Sequence, residues 1–255
     1  MATGTEGPDS LTNDPSNPHD VVNALGGDDL ITIQKPSPTM NSGETVEVNG
    51  GSGFDTLIVN RPGQRVQSLS GSGFDGGANF RDGTGINWSV FWTSIERIEI
   101  TGALFFGSGG GGFSTGNSVD ILRFGTPSGN FGGGNGTIAT NGGNDEIYIS
   151  GQPFFAGTGG LTVNSGTGND VIDFTAVEMP GGLGWTGNGG DGDDILRGSI
   201  FQDVLRGDAG NDSLSLWARI PESQTDVRFG GADIAQGGAG NDNFFFGAAL
   251  TSDDI

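Results

Sequence analysis

The residues of this chain with the clearest chemical potential are aspartates at a fixed spacing. In the stretch Gly189 to Leu216, "GGDGDDILRGSIFQDVLRGDAGNDSLSL", Asp194, Asp203 and Asp212 recur every nine residues, and a leucine follows each of them by two positions. Glycines cluster just before Asp194 and Asp212, where tight turns leave backbone carbonyl oxygens free to act beside the carboxylates. Carboxylates brought into register repel one another unless a cation sits between them. An all-oxygen donor set suits a hard divalent ion, and calcium, which accepts six to eight oxygens in flexible geometry, fits better than magnesium or zinc.

These aspartates need elements that repeat with them. The contiguous frames "GGDGDDILR", "GSIFQDVLR" and "GDAGNDSLS" put each aspartate in the sixth place. The same frame fits "GGSGFDTLI", "SGTGNDVID" and "GGAGNDNFF", which place Asp55, Asp170 and Asp242 alike. Looser matches bring in Asp9, Asp29, Asp145 and Asp233, and "TGNSVDILR" keeps little beyond Asp120 and its leucine. Glycines at the first, second and fourth places permit positive φ and close backbone approach, so six residues turn. The other three form a very short strand whose middle residue points inward. Two units then complete one coil of eighteen residues, stacking Leu196 under Leu214 and setting Asp194 against Asp212. Asp203 falls on the opposite side, where one coil away in either direction, at 185 and 221, stand tryptophan and proline.

Composition agrees with a thin, repetitive core. The chain has 255 residues, 52 of them glycine, and only 33% hydrophobic residues, too few large side chains for a broad globule. With 31 acidic and 10 basic residues its formal charge is −21, which repels nucleic acid and anionic lipid and calls for cations. Cysteine is absent, which excludes disulfides, thiolate metal sites and a cysteine nucleophile. The first residues, "MATGTEGPDSLTND", lack a basic segment followed by an apolar run, and no stretch approaches a membrane span, so neither a cleavable signal nor an anchor is expected.

The frame resembles the hemolysin-type calcium-binding, or RTX, repeats, whose nonapeptide G-G-x-G-x-D-x-U-x forms a parallel β-roll. The likeness is most specific over residues 186–246, good at 4–33, 48–59 and 140–174, and poor elsewhere. It implies several calcium ions held between successive turns by sixth-place aspartates and glycine-turn carbonyls. Carried over position by position, the best site pairs Gly189, Asp191 and Asp194 with Gly207, Ala209 and Asp212. Asp203, Asp233, Asp242, Asp170, Asp145, Asp55, Asp29 and Asp9 are the further metal positions. Asp75 receives none, because Gly76 and Gly77 stand where the inward apolar residue belongs, and the insert "NDPSNPH" between Asp9 and Asp20 should distort its coil.

Between about 60 and 135 the nines fade, and "INWSVFWTSIERIEI" alternates in the manner of longer, half-buried strands. The phrase "SIERIEITGALFFGSGG" resembles linking segments between RTX blocks of large bacterial surface and secreted proteins. The expected fold is therefore all-β, a right-handed parallel β-roll or β-solenoid with glycine-rich turns. Its parts are N-terminal coils at 1–59, a wider irregular β-solenoid segment at 60–139, and a C-terminal roll at 140–255. Trp88, Trp92 and the alternate members of Phe244, Phe245 and Phe246 are expected to fill the interior or cap an open end.

Catalytic readings find little support. The single histidine, His19, rules out a two-histidine zinc helix. "GFSTG" at Gly112 matches a nucleophile elbow in form, but no histidine follows Ser114. Paired carboxylates for glycoside hydrolysis cannot be dismissed by spacing, since acidic residues are plentiful. A lyase or epimerase would want basic or phenolic groups near a sugar, and the chain has one lysine, Lys35, and one tyrosine, Tyr148. The function expected is a non-catalytic calcium-binding extracellular protein that folds on binding calcium. Its role would be structural, adhesive or surface-assembling, with homo-assembly or cell-surface and polysaccharide contact, and its export independent of a signal peptide. The alternatives are an export and folding appendage of a larger secreted enzyme, and a self-assembling surface-layer or fibre subunit.

Overall fold

Glycine-rich turns alternating with short strands produce a stack of coils. The computed structural model describes residues 1–34, 43–81, 87–104, 111–125, 130–131, 136–151, 154–155, 160–177, 185–199, 201–216 and 233–245, and every regular element among them is a strand. The chain is an all-β protein of parallel β-roll type. It divides into two units, Met1–Phe105 with Phe113–Pro127, and Phe106–Gly112 with Ser128–Ile255.

In the second unit the coil from Thr186 to Ser215 is the nine-residue frame doubled, and its neighbours are longer. Thr186–Asp191 pairs parallel with Val204–Ala209, and Ile195–Arg197 pairs parallel with Ser213–Ser215, so Leu196 stands beside Leu214 as the frame predicts. One row of strands runs Gly136–Ala139, Leu161–Thr167, Thr186–Asp191, Val204–Ala209 and Ile234–Ala239. The other runs Glu146–Gly151, Val171–Val177, Ile195–Arg197, Ser213–Ser215 and Asn243–Phe245. The interior holds Ile138, Val163 and Leu205 from the first row and Ile147, Ile172, Leu196 and Leu214 from the second, all fully buried. Each such side chain contributes about 1.5–3 kcal/mol by leaving water. Most of these strands bury one or two, as with Ile147 and Ile149 or Ile172 and Phe174, while Thr186–Asp191 buries no large apolar residue. Phe174 and Trp185 thicken this core with an edge-on contact at 5.1 Å.

The inward row ends differently from expectation. Phe244 continues it beside Leu214, yet Phe244 is 42% exposed and Phe245 53%. Asn243–Phe245 is the last strand of its row among the described residues, so no further coil there covers the two rings. Phe246 lies outside the described residues.

The first unit uses the same kind of coil at unequal repeats. Ala2–Thr3, His19–Asn23, Glu44–Asn49 and Asn87–Thr93 form one parallel row. Ser10–Thr12, Leu30–Thr32, the start of Thr56–Ser72, Arg97–Leu104 and Val119–Gly125 form the other. The insert after Asp9 is absorbed in a turn where Asp20 accepts bonds from the Asp14 backbone N–H at 2.6 Å and Asn17 Nδ2 at 3.1 Å. An antiparallel excursion then departs from the solenoid: Thr56–Ser72 pairs antiparallel with Asp75–Arg81, which pairs antiparallel with Asn87–Thr93. The alternation read over residues 87–93 is correct, with Trp88, Val90 and Trp92 inward and buried. Phe80 stacks on Trp88 at 4.7 Å, and Trp88 Nε1 donates to Gln64 Oε1 at 2.7 Å. Gly76, the first of the two glycines that follow Asp75, lies against the Trp92 ring: a Cβ there would come 2.5 Å from Cζ2.

Candidate metal centre

The turns of the second unit stack so closely that side chains have no room at their glycines. Gly192 has φ +137° and a Cβ on it would lie 2.0 Å from the Gly168 carbonyl oxygen; Gly210, one coil on, has φ +144° and would clash with the Gly192 oxygen at 1.9 Å. Backbone N–H groups meet the adjacent coil's carbonyls across the same gap, as in Gly168 N–H to Asp191 O at 2.8 Å and Gly192 N–H to Ala209 O at 2.7 Å.

This stacking turns the sixth-place aspartates into a ladder. The backbone N–H of Asp145 donates to Asp170 Oδ1 at 2.8 Å, Asp170 to Asp194 at 2.9 Å, Asp194 to Asp212 at 2.9 Å, and Asp212 to Asp242 at 3.0 Å. The first unit builds a shorter ladder from Asp9 to Asp29 at 2.7 Å and Asp29 to Asp55 at 2.9 Å. There Asp55 N–H donates to Glu96 Oε2 at 2.9 Å, so a glutamate outside the nine-residue frame takes the sixth-place role. No spacing signal marks Glu96, because the antiparallel excursion lies between it and Asp55.

One oxygen of each carboxylate is thereby used, and the other defines the site. Asp29, Asp55, Asp194 and Asp212 each keep a buried Oδ2 without a hydrogen-bond partner. First-place glycines form the cradle for that atom: a Cβ on Gly189 would lie 2.1 Å from Asp194 Oδ2, and one on Gly207 2.1 Å from Asp212 Oδ2. Gly237 stands in the same relation to Asp242. Burial pushes the Asp194 carboxyl up to about 7, with the neighbouring charges of Asp170, Asp212 and Asp193 adding to it. Asp212 and Asp55 are raised for the same reason, burial first and adjacent acids second. Asp170 is also raised by burial, opposed by the bond from the Asp145 backbone N–H.

A desolvated row of carboxylates with one oxygen each unsatisfied is a site of strongly negative potential, and a cation relieves it. Among the described residues no three acidic, histidine or cysteine side chains converge on one point. Carbonyls must therefore supply the other donors. Gly189 O accepts from Ser165 Oγ at 2.8 Å, and Asp191 O and Ala209 O each accept one N–H, which leaves a lone pair on each. Hard oxygen donors of this kind fit calcium.

Asp203 and Asp233 occupy the opposite turns. Trp185 N–H donates to Asp203 Oδ1 at 3.0 Å, as its place one coil earlier requires. The partner one coil later is Asp233, to whose Oδ1 the Asp203 N–H donates at 2.8 Å, and not position 221. The repeat there is thirty residues, as it is between Asp212 and Asp242, because the segment around 217–232 is interposed between the two coils. Asp203 Oδ2 is satisfied by the Ser199 hydroxyl at 2.9 Å and by the Ser199 backbone N–H. Asp9 is likewise occupied, its Oδ2 accepting from Thr5 N–H at 2.5 Å and Thr5 Oγ1 at 2.9 Å. These two carboxylates hold turns together and offer a cation less than Asp194 and Asp212 do.

A second ladder went unread in the sequence. Asp193 N–H donates to Asn169 Oδ1 at 3.0 Å, Asn211 N–H to Asp193 Oδ1 at 2.7 Å, and Asn241 N–H to Asn211 Oδ1 at 3.0 Å. The signal was the recurring asparagine or aspartate in the fifth place, beside the more conspicuous sixth.

Residues 188–218 and 229–248 match the family described as RTX calcium-binding nonapeptide repeat, in 4 copies. Those two segments carry RTX calcium-binding repeats. The RTX match covers Asp191, Asp194, Asp203, Asp212, Asp233 and Asp242, and RTX nonapeptides bind calcium. The Asp145–Asp170 turns fall outside the matched segments but continue the second unit's carboxylate ladder, and the Asp9–Asp55 turns, also outside them, form a separate ladder of the same kind in the first unit. No characterised protein sequence matches the chain significantly. Among solved structures, extracellular lipase LipA from Serratia marcescens is similar at 15% sequence identity and a TM-score of 0.27, over 99% of this chain and 38% of that one. The chain thus spans well under two thirds of that lipase's length.

The carboxylate ladder makes the stability of the calcium-free coils fall as pH rises and the increment added by calcium grow. Asp194 holds its proton up to about pH 7 in the folded chain, well above the 3.8 of a free aspartate, so between those values the folded state binds more protons than the unfolded one. The calcium-free coils therefore lose stability as pH rises from about 4 to 7, and calcium, which competes with that proton, gains affinity over the same range. Thermal melts in chelator should show a lower midpoint at pH 8 than at pH 5, while the increment added by calcium should be larger at pH 8. An increment independent of pH would contradict this.

Proposed function

We propose that the chain is an extracellular β-roll whose coils fold on calcium and which serves a structural, adhesive or surface-assembly role without catalytic chemistry of its own. The observation that carries this reading is the set of buried, unpartnered Oδ2 atoms of Asp194 and Asp212 beneath stacked glycine turns. Gly189, Asp191 and Ala209 offer carbonyls, and Asp194 and Asp212 carboxylates, to the ion between their turns. Calcium bound there supplies charge neutralisation and hard-oxygen coordination. The residues of the chain do the rest: first-place glycines admit the carboxylates, and the sixth-place N–H groups hold Oδ1, which aims Oδ2 at the gap.

Energetically this is a folding switch. A net charge of −21 and strands that bury at most one or two large side chains, and none in Thr186–Asp191, leave the calcium-free coils marginal. Each ion then stabilises the folded state by RT ln(1 + [L]/Kd), about 2.7 kcal/mol at a hundredfold excess over Kd. Where calcium is scarce the chain stays extended enough for a narrow export channel, and millimolar calcium outside folds it. Ser114, the residue of the apparent nucleophile elbow, donates its hydroxyl to the Thr115 carbonyl at 3.2 Å, and His19 bonds Thr45 Oγ1 through Nδ1 at 2.9 Å; neither faces a catalytic partner in these bonds. Circular dichroism of the purified chain in chelator, then in millimolar calcium, tests the reading. Strand signal should grow with calcium and not with equal magnesium; a spectrum indifferent to calcium would overturn it.

A further inference from the structure

The antiparallel excursion gives the first unit a broad outer face that the calcium ladder does not use. Five adjacent strands, His19–Asn23, Glu44–Asn49, Asn87–Thr93, Asp75–Arg81 and the end of Thr56–Ser72, lie side by side. Their inward residues are the buried Val22, Val46, Val48, Trp88, Val90, Trp92, Ala78, Phe80 and Leu69. The outward residues form rows across the strands. One row is a line of polar side chains in two hydrogen-bonded parts: His19 Nδ1 meets Thr45 Oγ1 at 2.9 Å, and beside Thr45, in register with it, the Ser89 hydroxyl donates to Asn79 Oδ1 and Asn79 Nδ2 to the Ser68 hydroxyl. Another row, on the far side of Phe91, has Asn49 Nδ2 donating to Asn23 Oδ1 at 3.0 Å and Thr93 Oγ1 donating to Asn49 Oδ1 at 3.3 Å.

Phe91 lies between these polar rows, 45% exposed, with its ring over Gly77: a Cβ on Gly77 would come 2.8 Å from Phe91 Cδ1. The missing side chain at Gly77 lets the ring lie down along the sheet instead of standing off it. The one acid in register with it is Glu47. An apolar ring face bordered on both sides by uncharged amides and hydroxyls, fixed by their bonds to one another, matches a pyranose: axial C–H groups pack on the ring, and the rim hydroxyls trade hydrogen bonds with neighbouring amides. The charge of −21 disfavours acidic polymers at a calcium-independent face, which leaves a neutral glycan.

The geometry points to this face as a binding platform for a neutral polysaccharide, with Phe91 as the stacking residue and Asn79, Ser89, Asn49 and Thr93 as its polar flanks. It rests on the adhesive reading above for its role, but not on the calcium sites for its contacts. Affinity electrophoresis of the whole chain in calcium-containing gels, cast with hydroxyethyl cellulose, dextran or alginate, tests it. At least one of the two neutral polymers should retard the chain. Phe91→Ala should weaken that retardation about tenfold, the loss of one stacked ring. Phe91→Trp should retain it, and Phe245→Ala, in the other unit, should behave as the wild type. No retardation by either neutral polymer, retardation by alginate alone, or wild-type behaviour of Phe91→Ala would overturn the proposal; should Phe91→Ala fail to give the wild-type circular dichroism spectrum, Asn49→Ala takes its place with the same expected loss. A chain that folds with calcium but is not retarded sinks the platform alone, and one that is retarded but ignores calcium sinks the folding switch alone.

Discussion

Asp194→Asn should make the second unit more stable in chelator and, at the same time, remove most of its response to calcium. The amide retains Oδ1, so the bond from the Asp170 N–H at 2.9 Å survives. The anion that is crowded by Asp170, Asp212 and Asp193 and pushed up to about 7 disappears. At pH 8 the calcium-free coils should gain roughly 1–3 kcal/mol, the relief of a desolvated charge less the cost of a poorly satisfied amide N–H. With calcium the sign reverses. Asp194 stands between the Asp170 and Asp212 turns, so its loss weakens ions on both sides, each worth about 2.7 kcal/mol at a hundredfold excess. Asp203→Ala provides the contrast. It strips partners from Trp185 N–H and from Ser199 and so costs about 1–3 kcal/mol with or without calcium, leaving the calcium midpoint in place. Calcium titrations of thermal midpoint for the three proteins check this; a calcium midpoint shifted as far by Asp203→Ala as by Asp194→Asn would show that the proposed coil register does not select the ions.

The second large effect concerns the backbone. Gly210→Ala should abolish folding of the Thr186–Ser215 coils at every calcium concentration. Its φ of +144° is closed to a residue with a β-carbon, and that carbon would sit 1.9 Å from the Gly192 oxygen of the preceding coil. Opening the stack to admit it would break the ladder bonds of Asp194 and Asn211 next to it. The loss should exceed about 4 kcal/mol, among the largest single-residue effects. Two places earlier, Asp208 adopts φ +74°, in the left-handed region that aspartate tolerates better than alanine, so Asp208→Ala should cost only about 1–2 kcal/mol. Urea unfolding in saturating calcium separates the two; a Gly210→Ala midpoint near that of Asp208→Ala would mean the turns are looser than the stacking implies.

Much of this was legible in the sequence because the coil is a local period. Leu196 beneath Leu214 and Asp194 against Asp212 follow from counting in nines, since neither depends on anything beyond one coil. The period stops informing wherever residues are interposed. Asp203 finds Asp233 and not position 221, and Glu96 stands in for an aspartate forty-one residues after Asp55; in both cases contact across the coil is kept while sequence distance changes. The antiparallel excursion was visible only as strong alternation, because inward Trp88, Val90 and Trp92 look alike whether their neighbours run parallel or antiparallel. The paired glycines after Asp75 read as a gap for the same reason: the Trp92 and Phe91 rings that lie over Gly76 and Gly77 come from a strand well along the chain. Alternation places Phe244 inward correctly, but its exposure depends on whether another coil stacks over it, which a two-residue period does not encode.

Hydrogen–deuterium exchange with peptide mass analysis tests the central claim most directly, because it reads backbone protection turn by turn. Adding calcium should slow exchange most in peptides spanning Gly189 to Leu216, where the N–H groups of Asp194 and Gly192 are locked between coils. Asp194→Asn should erase that calcium-dependent protection. Protection that is equal in chelator and in calcium across Gly189–Leu216, or gained there undiminished by Asp194→Asn, would contradict a calcium ladder built on these carboxylates.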